Sequence, residues 1–259
     1  MSAPPPPLSW LVAHRGWPER YPENSLVGMQ AVLEAGARWV EFDVQITADG
    51  HAVVIHDDDL RRLTGRRARV TALTLSDLQT LADASTADAK TLAPTLAAML
   101  SLVKRYPGVT AFVELKRQSI RRHGLQASVG TVLDQIEASA CPVVFLSFRW
   151  RAVRLARKLG KLPVGWAFRP WSPLAQWLSR WLEPEYLFVR ADRVPRRTHP
   201  FWAGPWRWVI YGVADPASAK ELRARGADLI EVDNLPGMLG DLDRSGRDEP
   251  AGTSVDPER

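Results

Sequence analysis

Eight short runs rich in β-branched and aromatic residues recur along the chain, most of them followed by a segment of helical periodicity. They are WLVAH (10–14), WVEFDVQI (39–46), TAFVELK (110–116), PVVFLSF (142–148), LPVGWAF (162–168), YLFVRA (186–191), RWVIYGV (207–213) and DLIEVDN (228–234). Strands that alternate with helices pair in parallel and need both faces covered, and eight such units are enough to close a sheet on itself. The pattern predicts an α/β fold of the TIM (β/α)8 barrel type, in a single domain. An open doubly wound sheet is the competing arrangement, but no Gly-rich phosphate loop follows the first run. Helix boundaries agree with the repeat: Asn24 or Ser25 is placed to cap the first helix and Gly36 to end it, while Asp215 with Pro216 opens a late helix that Gly226 ends.

One detour interrupts the alternation. In TADGHAVVIH (47–56) two short extended runs flank the turn pair Asp49-Gly50, which predicts a small hairpin on the barrel rim after the second strand. An insertion, 57–94, follows, with one helix expected around 75–81. The whole chain has 259 residues, a length that one barrel domain accommodates. Residues 1–8 are expected to be a disordered proline-rich tail, 9–238 the barrel domain, and 239–259 a disordered acidic tail.

Composition sets the class. With 46% hydrophobic and 24% charged residues the chain is that of a globular protein, and no apolar run reaches the roughly eighteen residues of a spanning helix. The opening MSAPPPPLSW has neither a basic nor an apolar leader region, so a cytoplasmic location is expected. The single Cys141 has no intramolecular partner and reads as a small core residue. The formal charge of +5 conceals a split, because the last nineteen residues hold six acids against three bases, leaving about +8 on the rest. Arginine groups such as Arg61, Arg62, Arg66, Arg67 and Arg69, or Arg149, Arg151, Arg154 and Arg157, suit phosphate-bearing substrates, anionic membrane surfaces or simply solvated helix faces. No nucleic-acid partner is expected.

In a parallel barrel, chemistry sits at the carboxyl ends of the strands. His14 and Arg15 end the first strand. Glu41 and Asp43, two apart on the second, point the same way and are costly to bury without a cation. Glu114 and Lys116 repeat the device on the third. Three carboxylates would make a partial shell for a hard divalent ion, Mg2+ or Ca2+, and Lys116 would neutralise them or a substrate phosphate. His56 follows the rim hairpin. With His14 it makes a pair able to accept and donate protons near neutrality, and Arg15 offers a planar fork for a phosphoryl oxygen.

The ordered set HRG (14–16), PENS (22–25), EFDVQITADG (41–50), HDDDLRRLTG (56–65), VELK (113–116), PTLAAML (94–100) and LSF (146–148) resembles the glycerophosphodiester phosphodiesterases. The resemblance covers most of 9–236. It implies a TIM barrel, a divalent-metal site of Glu41, Asp43 and Glu114, the acid-base pair His14 and His56, and the phosphate ligands Arg15 and Lys116. It further implies Phe148 and Tyr211 as substrate-binding rings. The implied reaction releases an alcohol and glycerol 3-phosphate from a glycerophosphodiester. The chain departs from the family pattern at YGVA (211–214), where a Trp and an Asn are usual, and at Val232-Asp233, where the family has TD. Glu231 is an unusual neighbour there, able to face either an outer helix or the barrel mouth.

Seven of the eleven tryptophans lie in 166–208. Leu174, Trp177, Leu178 and Trp181 recur at helical spacing as one apolar stripe. The stripe either packs inward as an outer barrel helix or forms an interfacial patch for peripheral membrane contact, suited to a lysophospholipid substrate. His51, His123 and His199 lie outside the constellation. Two further readings compete with metal-dependent hydrolysis: Lys116 as a Schiff-base lysine in an aldolase-like barrel, and a non-catalytic barrel that binds phospholipid headgroups.

Overall fold

The computed structural model describes residues 9–83, 92–195 and 201–247. Nine strands form one sheet: β1 (Leu11–His14), β2 (Trp39–Ile46), β3 (Ala52–Val54), β4 (Thr110–Leu115), β5 (Val143–Ser147), β6 (Val164–Ala167), β7 (Tyr186–Arg190), β8 (Arg207–Tyr211) and β9 (Leu229–Val232). The order β1-β9-β8-β7-β6-β5-β4-β2, with β1 also paired to β2, closes eight parallel strands into a TIM barrel. The ninth, β3, lies antiparallel on β2 and is the rim hairpin expected after the second strand.

The helices are α1 (Leu26–Glu34), α2 (Arg61–Thr64), α3 (Leu75–Asp83), α4 (Leu96–Lys104), α5 (Arg117–His123), α6 (Leu125–Ser139), α7 (Trp150–Leu159), α8 (Pro173–Leu182), α9 (Pro216–Ala224) and α10 (Leu235–Arg247). Capping follows the sequence signals. Ser25 caps α1 through Gly28 N–H, and Asp215 caps α9 through Ser218 N–H, with Pro216 at the first helical position. Between β7 and β8 the described residues hold only a 3-10 turn, Ala191–Arg193, and His199 lies outside them. Helix α10 crosses the domain boundary expected at 238 and continues to Arg247. The expected tail 1–8 and the end 248–259 lie outside the described residues.

Alternation along each strand sorts the core into two layers. Outward residues such as Val40, Phe42, Val44 and Val113 are buried beneath the helices. Inward residues Val12, Phe112, Val144, Leu146, Ala167, Phe188, Val209 and Leu229 fill the barrel, each large apolar side chain contributing about 1.5–3 kcal/mol by burial. At the amino end, Trp39, Phe112 and Tyr186 pack ring against ring, with Phe112 stacked on Trp39 at 5.7 Å and edge-on to Tyr186 at 5.0 Å. This plug leaves the opposite, carboxyl end for polar groups. Cys141 is buried and free, as its apolar surroundings in the sequence suggest.

Helix α8 decides between the two directions open to its apolar stripe, turning three of its four residues outward. Its buried residues are Ala175, Ser179 and Leu182, whereas Leu174, Trp177 and Trp181 are 65%, 59% and 42% exposed. The inner face is the row Ala175, Ser179 and Leu182, with Leu178 packed partly beside it and Ser179 Oγ donating to the Ala175 carbonyl.

Candidate active site

The same alternation that fills the barrel aims one row of polar side chains at its carboxyl mouth. On β2, Trp39 is followed inward by Glu41, Asp43 and Gln45; on β4, Phe112 is followed by Glu114 and Lys116; on β9, Leu229 is followed by Glu231 and Asp233. Register sets the levels, with His14 beside Glu41 and Asp43 beside Glu114. Glu41, Asp43, Glu114 and Glu231 are all buried.

The HRG and PENS motifs shape the turn that frames them. After β1, Arg15 and Gly16 both take the left-handed conformation, at φ 56° and 84°. A Cβ on Gly16 would lie 2.7 Å from the Gly28 carbonyl carbon, so only glycine fits this close approach. The turn puts Arg15 Nε 2.9 Å from Asp43 Oδ2. Asn24, also left-handed at φ 59°, clamps Asp43 from both sides: its amide donates to Asp43 Oδ2 at 3.0 Å and its carbonyl accepts from Asp43 N–H at 3.2 Å.

The rim hairpin delivers His56. Ile55 N–H donates to the Asp43 carbonyl at 2.9 Å, and Gln45 Nε2 donates to the His56 carbonyl at 2.9 Å. His56 Nδ1 donates to Asp57 Oδ1 at 2.6 Å; Asp57 accepts from Arg62, which pairs with Glu23. His14 is held in parallel fashion, its Nδ1 2.6 Å from Asp233 Oδ1, while its Nε2 faces Glu231 at 3.6 Å and Glu41 at 3.7 Å. Glu231 therefore enters the mouth.

These contacts drive the two imidazoles apart in basicity. Burial opposes a charge on His14, but Glu231, the Asp233 hydrogen bond and Glu41 outweigh it and push its pKa up to about 10. Burial lowers His56, and Lys116 and Arg15 add to that against the attraction of Asp43. Among the acids, Asp43 stays well below the usual carboxylate range despite burial, because Lys116 and Arg15 flank it. Glu41 moves the other way, raised by burial and by neighbouring Asp43, and burial lifts Glu231 to about 7. Lys116 Nζ lies 2.9 Å from Asp43 Oδ1 and 2.8 Å from Glu114 Oε1, which hold it charged against its own burial.

The residues fit a divalent cation. Carboxylate oxygens of Glu41, Asp43 and Glu114 lie within 4.8 Å of one another, and Glu41 Oε2 is buried with no hydrogen-bond donor. That oxygen lacks the partner that a hard cation supplies. His14, Glu41 and Glu231 make a second group of ligand atoms within the same spacing. A small inner pocket is lined by His14, Arg15, Glu41, His56, Lys116, Phe148, Tyr211 and Glu231, with Arg169 at its edge. Thus every site residue expected from the sequence borders this pocket or, in the case of Asp43, underlies it.

The sequence reading passed over three participants. In the sequence Asn24 reads as a helix cap and Asp233 as part of a departure from a family motif, and Arg169 is not singled out. Strand parity finds Arg169, since it continues the inward row of Gly165 and Ala167. It lies over the Phe148 ring at 5.1 Å, and its Nε donates to Tyr211 Oη at 3.4 Å.

A closed parallel barrel with paired imidazoles, cations and a cation-ready acidic trio at its carboxyl mouth is the framework of a barrel enzyme. The family model for the glycerophosphoryl diester phosphodiesterase family matches residues 14–235, and the chain belongs to that family. A glycerophosphodiester phosphodiesterase of Bacillus altitudinis is 32% identical over 157 residues, 59% of this chain and 63% of that protein. One from Caldanaerobacter subterraneus subsp. tengcongensis is 41% identical over 71 residues, 27% of this chain and 29% of that protein. The chain thus spans less than two thirds of the length of these curated relatives. Among solved structures, an Oleispira antarctica phosphodiesterase in complex with the product sn-glycerol-3-phosphate superposes with a TM-score of 0.80 at 22% identity, covering 90% of this chain and 96% of that one. The Thermotoga maritima glycerophosphodiester phosphodiesterase gives 0.72 at 22% identity, over 90% and 98%. No helix among the described residues is long and apolar enough to cross a membrane.

Proposed function

We propose that this protein hydrolyses glycerophosphodiesters to an alcohol and glycerol 3-phosphate, with a divalent cation, Mg2+ or Ca2+, held by Glu41, Asp43 and Glu114. The observation that carries the reading is that two imidazoles, His14 and His56, line one pocket with Arg15, Lys116, Glu41 and Glu114, with His14 raised and His56 lowered in basicity. Pairs of titratable groups driven apart in this way are suited to simultaneous acid and base work.

In the mechanism, Arg15 and Lys116 grip the phosphoryl oxygens. Neutral His56 accepts the proton of the attacking hydroxyl, supplied by the neighbouring glycerol carbon or by water. As the new P–O bond forms, the bond to the alcohol breaks, and His14 passes its Nε2 proton to the departing oxygen. When the glycerol hydroxyl attacks, water then opens the cyclic phosphodiester with the imidazoles in exchanged roles, and glycerol 3-phosphate is released. A divalent cation bound by the acidic trio would orient the attacking hydroxyl and lower its pKa. Phe148 and Tyr211 wall the substrate pocket. Coupled detection of glycerol 3-phosphate from glycerophosphocholine and glycerophosphoethanolamine, with and without chelator, tests the reading. Full activity in His14→Ala or His56→Ala would overturn it.

The exposed face of α8 favours a second reading, in which the substrate is a lysophospholipid cleaved at a membrane surface. Trp177 and Trp181 stack on each other at 6.3 Å, and Arg154 lies over Trp181 at 4.4 Å. Aromatic rings beside arginines suit the headgroup layer of an anionic bilayer. Vesicle co-sedimentation, lost in the Trp177→Ser/Trp181→Ser variant, would support this reading; no sedimentation of the unaltered protein with anionic vesicles would end it.

A further inference from the structure

Beyond the inner pocket the mouth opens into a groove of about 980 Å³, which shares His56, Glu114, Lys116, Phe148 and Arg169 with it. A substrate bound with its phosphoryl group between Arg15 and Lys116 extends into this groove, so the groove's chemistry selects what is attached to the phosphate. Its acids are already paired: Asp57 with Arg62, Asp59 with Arg61, Asp58 with Arg69, and Glu114 with Lys116.

Three arginines on the same lining, Arg117, Arg149 and Arg169, have no carboxylate within ion-pair distance among the described residues. Their placement is regular. Arg117 lies two residues past the end of β4 at Leu115, Arg149 two past the end of β5 at Ser147, and Arg169 two past the end of β6 at Ala167. These three strands are neighbours in the barrel, so the guanidinium groups form one arc of the rim. All three are exposed, and Arg169 is held in place by the Phe148 ring and the Tyr211 hydroxyl. Positive charge left unpaired on a concave surface attracts an anion and supplies it with planar hydrogen-bond donors.

We propose that the arc Arg117–Arg149–Arg169 is a leaving-group subsite that selects glycerophosphodiesters whose alcohol carries a further anionic group. The proposal rests on the hydrolytic reading above and adds to it the charge of the alcohol. Glycerophosphoserine and glycerophosphoethanolamine make a matched pair, because their alcohols differ by one carboxylate. The unaltered protein is expected to favour glycerophosphoserine in kcat/KM by about tenfold, the equivalent of one good charge-assisted contact, with the preference shrinking as ionic strength rises. In Arg117→Gln/Arg149→Gln the preference is expected to fall to about twofold or less, chiefly through a loss of kcat/KM for glycerophosphoserine, and circular dichroism and Tm establish that the variant is folded. Equal kcat/KM for the two compounds in the unaltered protein, or a preference that survives in the folded double variant, would overturn the subsite while leaving hydrolysis standing. Absence of turnover of both compounds would remove the hydrolytic reading and the subsite with it.

Discussion

His14 Nδ1 and Asp233 Oδ1 lie 2.6 Å apart, joining residues 219 positions distant in sequence across the seam where β9 meets β1. The bond fixes the ring so that Nε2 carries its proton toward Glu41 and Glu231. Replacing Asp233 by Asn keeps a polar partner but removes the charge that favours the imidazolium. The Asp233→Asn variant is expected to lose activity chiefly at the alkaline side, with the upper limb of its pH–kcat/KM profile moved to lower pH. His14→Ala and His56→Ala are each expected to lower kcat by about 10²–10⁴-fold.

Stability without added cation is expected to decline as pH rises from about 5 toward 10. Glu231 has a pKa of about 7 in the fold against an ordinary 4.5, so the native state holds its proton more tightly, and the stabilisation present at low pH is lost on passing through 7. His14 has a pKa of about 10 against 6.5; its contribution is complete below 6.5 and is lost as pH passes 10. Asp43, held low, acts in the opposite sense only in strong acid, and His56, lowered from 6.5, opposes the decline only below its ordinary value. Calorimetric scans in chelator across this range check the slope, and a flat Tm would contradict it.

Adding Mg2+ or Ca2+ to chelator-treated protein is expected to raise Tm, by an amount equivalent to about 2.7 kcal/mol at a concentration one hundred times the dissociation constant. Glu41→Gln is expected to abolish most of that response, because its orphaned oxygen is the one short of a partner. Thermal scans with each ion separate the two candidates.

Asn24→Ala is expected to destabilise the protein by roughly 1–3 kcal/mol, through the loss of two buried hydrogen bonds to Asp43 and the strain of a left-handed alanine. Urea unfolding measures this. Residual activity in the folded fraction is expected to fall as well, because Asp43 loses its clamp.

The barrel was legible because its evidence is periodic and local. Alternation gave the strands, and parity within WVEFDVQI already sent Glu41 and Asp43 to one face. Contacts between distant segments were not written in any single stretch. Asn24 looks like a capping residue until β2 is laid beside it, and the fate of Glu231 depends on which way β9 is rotated in the closed sheet. On α8 the apolar spacing left the direction of the stripe open, because spacing alone does not say which face meets the barrel; there Ala175, Ser179 and Leu182 do, and Leu174, Trp177 and Trp181 turn outward.

The ring cluster of Trp39, Phe112 and Tyr186 gives the barrel a floor. A cul-de-sac of this kind has one doorway for arrival and departure, so whichever product sits nearer the rim blocks the exit of the other. Under the proposed hydrolysis the alcohol, nearer the rim, would leave before glycerol 3-phosphate, in a fixed order of release.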